Sequence, residues 1–310
     1  MLSKPLRNLP KKVRIVEVGP RDGLQNEKTI ISLEDKIQFI KLLAKAGLRE
    51  IEATSFVRAD KIPQMADGLL LYQQLKNDPD LKNTSLLALV PNSEGMKRAL
   101  DAGVKNIAIF TSTSNSFNQK NINATIDESL ERIKEVLVLA RSNNIKARGY
   151  VSTVFGCPYE GKTSLVELKK ITQFLKDQGV SEVSLGDTIG IANPLQVSEV
   201  IEFLNRDFSL DFFSMHFHDT RGMAVANVLT SLEMGITSFD SSAGGLGGCP
   251  YAVGASGNVA TEDLYFLFES MGIQTGIDIG KLALATEIIL SKINHESPSK
   301  FLKAFKSQGF

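Results

Sequence analysis

Two histidines, His216 and His218, stand two residues apart in a largely apolar run, with Asp219 directly after. On an extended strand this spacing turns both imidazoles to one face. The pair then either chelates a metal ion or serves as two hydrogen-bonded structural histidines. Economy favours ligation, because the chain has three histidines in all and places two of them here. A second constellation is Gly244-Gly245-Leu246-Gly247-Gly248-Cys249-Pro250-Tyr251, followed by Asn258. Positions 241–261 carry no charged side chain, but Gly and Ser fill them rather than Leu, Ile and Val, which argues against a membrane span. Glycines let the backbone lie close to a ligand. The stretch therefore has the character of an active-site loop bearing one thiol and one neutral oxygen ligand. A buried, inert cysteine is the equal alternative on this loop alone.

The elements that position these residues recur along the chain. Short β-branched runs at 13–18, 49–54, 85–90, 106–111, 146–154, 182–185, 211–217 and 238–241 read as strands. Between them, apolar residues fall at helical spacing, as in Ile37, Ile40, Leu43 and Ala44, or Ile133, Val136, Leu137 and Ala140. Several helical patterns stop at Gly47, Gly103, Gly179 and Gly235, the usual helix-to-strand stop. Eight such units predict a single (β/α)8 TIM barrel over about 13–272, with an extra C-terminal helical segment over about 273–310. No GxGxxG opens an early helix, so an open dinucleotide-binding sheet loses its main support. In a barrel the C-terminal strand ends share one mouth. Arg21-Asp22 at the end of the first strand, Glu52 near the end of the second, Asp187 at the end of the sixth and the two histidines then converge with Asn258. A carboxylate, two imidazoles and an amide suit a divalent ion such as Mg²⁺ or Mn²⁺ with open water positions.

Composition removes other classes. Lys+Arg and Asp+Glu both number 35, and no basic cluster marks a nucleic-acid or anionic-membrane partner. Two cysteines form no disulfide framework, and the N-terminus lacks the apolar core of a signal peptide, so a cytoplasmic protein is expected. Cys157, in Gly156-Cys157-Pro158-Tyr159, has no glycine run around it and reads as a packing or turn residue.

Six ordered motifs carry a resemblance. Val16-Glu17-Val18-Gly19-Pro20-Arg21-Asp22-Gly23-Leu24-Gln25-Asn26-Glu27 resembles the opening of the 3-hydroxy-3-methylglutaryl-CoA (HMG-CoA) lyases. So do Glu52-Ala53-Thr54-Ser55-Phe56-Val57, Gly156-Cys157-Pro158-Tyr159-Glu160-Gly161, Ser184-Leu185-Gly186-Asp187-Thr188-Ile189-Gly190, His216-Phe217-His218-Asp219-Thr220 and the Cys249 loop. The family belongs to a wider set of metal-dependent barrel lyases and acyl-condensing enzymes. Gly19-Pro20 before Arg21, Leu24-Gln25 after Gly23 and the Cys249 loop separate the lyases from those relatives.

The resemblance implies that Asp22, His216, His218 and Asn258 hold the metal and that Arg21 is catalytic. It further implies that Cys249 acts from its loop, that Glu52 and Asp187 support the site, and that His216 assists proton transfer. The implied reaction is retro-Claisen cleavage of (S)-3-hydroxy-3-methylglutaryl-CoA to acetyl-CoA and acetoacetate, with leucine degradation, ketone-body metabolism or another pathway left open. The implied partners are a small CoA thioester and a second copy in a homodimer. A lyase for another 3-hydroxyacyl-CoA, or a condensing acyltransferase joining acetyl-CoA to a 2-oxo acid, is the alternative. Arg221-Gly222-Met223 departs from the Tyr-Gly-Gln of the best-known members and leaves acyl-chain preference open.

Overall fold

The computed structural model describes residues 9–248, 257–294 and 296–307. Strands and helices alternate through it as the β-branched runs predict. The strands are β1 (Arg14–Glu17), β2 (Glu50–Ser55), β3 (Ser85–Leu89), β4 (Asn106–Ser112), β5 (Lys146–Ser152), β6 (Glu182–Asp187), β7 (Phe213–Phe217) and β8 (Ser238–Ser241). Each pairs in parallel with the next, and β1 closes on β8 in a register from Arg14↔Ser238 to Glu17↔Ser241. The result is the expected (β/α)8 barrel. The helix Thr261–Ser270 follows β8, and Ile279–Ile293 and Lys300–Ser307 form the extra C-terminal segment.

Local sequence sets the boundaries. Ser32 accepts from the Asp35 amide to start the helix Leu33–Lys45, and Thr125 with Glu128 forms a reciprocal capping box at Ile126–Ser142. At Gly47 the backbone is left-handed (φ 102°), and a Cβ there would sit 2.2 Å from the Gly276 carbonyl oxygen, so only glycine fits this stop. Most strand ends shift by a residue or two from the sequence reading, and the shifts near the site have local causes. β6 runs on to Asp187, and a 3-10 turn at Leu210–Phe212 delays β7 to Phe213. Arg21 and Asp22 do not end β1 but lie in a π-helical turn, Gly19–Gly23. Pro20 has no N–H for a strand ladder and instead opens this turn.

Side-chain alternation divides the interior in two. One face of β4 and β5, with Ile107, Ile109, Ala147 and Val151, joins a large apolar cluster that includes Ile133, Leu137, Ile171 and Leu175 from the helices. The other face turns into the barrel, where Leu89, Ala108 and Tyr150 form a small separate cluster. Most of the barrel lumen is polar instead: Glu52, Arg148, Glu182, Ser184, Ser214 and Asp240 are all buried. Branched aliphatic side chains usually fill this space. Here a ladder of charged and hydroxyl groups leads up the lumen to the mouth that holds the site. On the outside, Phe239 of β8 packs on Phe268 with ring centroids 5.4 Å apart, which fixes the helix Thr261–Ser270 against the barrel just after Asn258.

Candidate active site

Arg21 is buried, at 6% exposure, where a freely solvated guanidinium would be expected. Its Nε donates to Glu52 Oε2 at 2.8 Å, its Nη2 pairs with the same oxygen at 2.6 Å, and its Nη1 donates to Asp22 Oδ1 at 2.6 Å. Glu52 is fully buried, and burial raises its pKa despite the arginine beside it. Its second oxygen, Oε1, has no hydrogen-bond partner among the described residues. Burial likewise pushes the Asp22 carboxyl up, but Arg21 and the two imidazoles outweigh it and hold the pKa at about 2. Asp22 is therefore an anion throughout the physiological range.

The histidines meet this anion as the spacing predicts. His216 ends one residue short of the end of β7 and His218 one residue beyond it, with the two Nε2 atoms 3.3 Å apart. His216 Nε2 is 4.0 Å from Asp22 Oδ2. One ligand atom from each of Asp22, His216 and His218 lies within 4.8 Å of the others. Two imidazole nitrogens facing each other beside a carboxylate suit a divalent cation, whose charge and open coordination positions both atoms can serve. Burial, and then the neighbouring His216, lower the His218 pKa to about 4, so this imidazole is neutral at neutral pH.

Asn258 also reaches this cluster, through a bridge that pairs it with His218. Its Nδ2 donates to Asp22 Oδ2 at 2.8 Å and to the Leu246 carbonyl at 3.1 Å. The amide nitrogen, not the oxygen, thus faces Asp22 in this state. Asp187 is engaged differently: its two oxygens accept from the Ile191 and Ala192 amides at 3.0 Å each, so it ties down its own loop. Burial raises its pKa to about 6. Cys249 and His295 lie outside the described residues. Cys157 is buried against Ser114 Oγ at 3.0 Å and closes the turn to Gly161, a packing and turn role as its context predicts. Arg221 donates to the Ile189 and Gly190 carbonyls, so its charge is docked on the loop after β6.

With this geometry in hand, residues 12–289 match the family model described as HMGL-like. The chain is 48% identical over 298 residues to the hydroxymethylglutaryl-CoA lyase YngG of Bacillus subtilis, covering 96% of this chain and 99% of the relative. The chain belongs to the HMGL-like family. Among solved structures, the hydroxymethylglutaryl-CoA lyase of Pseudomonas aeruginosa superimposes with a TM-score of 0.93 at 44% identity, covering 97% of this chain and 99% of that one. An HMG-CoA lyase of Acinetobacter baumannii, in complex with coenzyme A and 3-methylmalate, gives a TM-score of 0.90 at 35% identity, with 97% of each chain covered.

Beneath the ligand cluster of this HMGL-like barrel lies a layer that motif reading passes over. Tyr150 donates to Glu52 Oε2 at 3.2 Å and accepts from Arg148 Nη1 at 2.9 Å. Arg148 also pairs with Glu182 and with Asp240. Asp240 faces His216 Nδ1 at 3.2 Å, and although burial pushes its pKa up, Arg148 and His216 together outweigh that and hold it far below the carboxylate range. The available signal was weak: Arg148 and Asp240 are lone charges at inward positions of two strands, a pattern that more often marks a solvated face.

Proposed function

We propose that the protein cleaves (S)-3-hydroxy-3-methylglutaryl-CoA to acetyl-CoA and acetoacetate as a metal-dependent carbon–carbon lyase. The observation that carries this reading is a buried arginine fork set directly against an Asp/His/His ligand cluster at one barrel mouth. Near-full-length similarity to hydroxymethylglutaryl-CoA lyases supports it. The coenzyme A held by the Acinetobacter relative supports an acyl-CoA substrate here.

Cleavage requires loss of the tertiary hydroxyl proton and a place for negative charge on the departing thioester enolate. Asp22, His216 and His218, with Asn258 turned to offer its amide oxygen, would hold a divalent ion, Mg²⁺ or Mn²⁺ by the donor set, which would supply Lewis acidity toward that hydroxyl. Arg21 contributes donors for the thioester oxygen, and such preorganised donors contribute about 3–4 kcal/mol. Glu52, steadied by Tyr150, keeps the guanidinium aimed, so the donor is in place before charge develops. His216 has Nδ1 on Asp240 and Nε2 toward Asp22 and His218, which makes it a constrained base at most. Cys249, on the glycine run, supplies the proton that quenches the acetyl carbanion. Work in the cytoplasm as a homodimer belongs to the same proposal. Among the described residues, no helix is long and apolar enough to cross a membrane.

The test is acetoacetate release from (S)-3-hydroxy-3-methylglutaryl-CoA with Mg²⁺, then with excess EDTA. Fast release that the chelator abolishes is the expected result. A metal-supplied enzyme that releases no acetoacetate would overturn the substrate assignment.

A further inference from the structure

Asp240 lies on β8 in register with His216 on β7, so both side chains enter the barrel lumen side by side. Asp240 is 2% exposed, and four groups converge on its carboxylate. Oδ1 accepts from Arg148 Nη2 and from Ser214 Oγ at 3.3 Å. Oδ2 accepts from Ser184 Oγ at 2.7 Å and faces His216 Nδ1 at 3.2 Å. Arg148 is itself clamped by Glu182 and Tyr150, so the arrangement is over-determined. A buried ion pair of this kind is commonly no more stable than an apolar replacement of the same volume. Stability therefore gives no sufficient reason for an Arg148–Asp240 pair inside a barrel lumen. Its evident effect is to fix the carboxylate in orientation, with the Arg148 guanidinium and two seryl hydroxyls donating to it and Oδ2 turned toward His216 Nδ1. An ionised carboxylate only accepts hydrogen bonds.

We propose that Asp240 is a positioning residue for the metal site: it holds His216 in the Nδ1–H tautomer and so reserves the Nε2 lone pair for the ion. This inference rests on the metal-dependent reading above. It adds a requirement that none of the ligand-bearing motifs reveals. Partners of this kind behind metal-bound histidines typically change metal affinity by about 10- to 100-fold when removed. Asn at position 240 would present an N–H to His216 Nδ1, favouring the other tautomer and placing the ring proton where the ion should bind.

Two measurements test this without substrate. The first is a long-range ¹H–¹⁵N spectrum of the full chain, free of metal and at a pH where its imidazoles are neutral. With three histidines in the sequence, His216 is assigned by the signal lost in His216→Gln. The expected pattern is Nδ1–H, and an Nε2–H pattern would overturn the proposal. The second is Mn²⁺ titration, by calorimetry and by the free-ion EPR signal, of wild type and Asp240→Asn with matched circular dichroism. Affinity should fall about 10- to 100-fold in the variant. Equal affinities within about threefold would sink the role of Asp240 while leaving the metal site intact. If wild type binds no Mn²⁺, the metal reading itself fails. If Asp240→Asn does not fold, the tautomer measured in wild type decides alone.

Discussion

Replacing Arg21 with Gln separates chemistry from metal binding. The side chain makes three short contacts, two to Glu52 and one to Asp22, and Gln has neither the charge nor the reach to reproduce them. Loss of one preorganised donor to a developing oxyanion costs about 2.7–4 kcal/mol, or about 10²–10³ in kcat. Breaking a buried ion pair from one side usually costs about 3–5 kcal/mol of stability. Glu52 escapes part of that cost, because burial already favours its neutral form and removal of the cation lets it take a proton. The Asp22 pKa also rises, from its present value of about 2 toward that of an ordinary carboxylate, yet Asp22 stays ionised at pH 8. The departing guanidinium also removes a positive charge that repels a cation at Asp22. Mn²⁺ affinity should then be unchanged or slightly tighter while turnover collapses. The assay is kcat for acetoacetate release at saturating metal, with Mn²⁺ titration and thermal melts as controls. A rate above about a tenth of wild type, a change of only about 1.4 kcal/mol, would refute the enolate role. A Mn²⁺ affinity more than about tenfold weaker would show that Arg21 acts by holding Asp22 instead.

Three further expectations test other parts of the site. Glu17 is fully buried under the loop, accepting from the Gly19 and Ala243 amides and from Thr261, and burial raises its pKa from 4.5 to about 7. A carboxyl raised in this way contributes stability that is complete below about pH 4.5 and is lost as pH rises through about 7, a span worth about 3 kcal/mol. Glu17→Gln cannot ionise, so urea denaturation should show less loss from pH 5 to pH 8 than in wild type; parallel profiles would contradict the assignment. Gly247→Ala should lower kcat at least about tenfold and cost about 1–3 kcal/mol of stability. Its Cβ would lie 2.7 Å from Asn258 Nδ2 on a backbone at φ 122°, and unaltered kinetics would show that Asn258 tolerates displacement. Cys249→Ser should fold normally but turn over at least about tenfold more slowly, and wild-type activity in it would return the thiol to a packing role.

The fold was legible because period and punctuation agreed. β-branched runs marked every strand, and stops such as Gly47 and Gly103 marked helix ends with left-handed backbone. The two histidines were legible from a spacing of two, which the strand converts into a shared direction. Arg21-Asp22 was placed at a strand end but occupies a turn, because nothing in its spacing distinguishes the two until Pro20 is given its full weight. Asn258 was expected as an oxygen ligand, yet its hydrogen bonds depend on where Asp22 and the Leu246 carbonyl converge, and sequence does not encode that convergence. Asp240 was missed for a similar reason. A lone Asp in a short strand gains meaning only when barrel closure puts it beside His216 and Arg148.

The polar lumen also bears on how the protein responds to temperature. Exposing apolar surface raises the heat capacity of unfolding, whereas exposing polar surface lowers it. A barrel filled with Arg148, Glu182, Asp240, Glu52 and seryl hydroxyls releases less apolar area on opening than one filled with Val and Leu. Its stability curve is correspondingly flatter, with weaker curvature on both the warm and the cold side. The groups that aim the arginine and the histidine thus also broaden the range of temperatures over which that aim is kept.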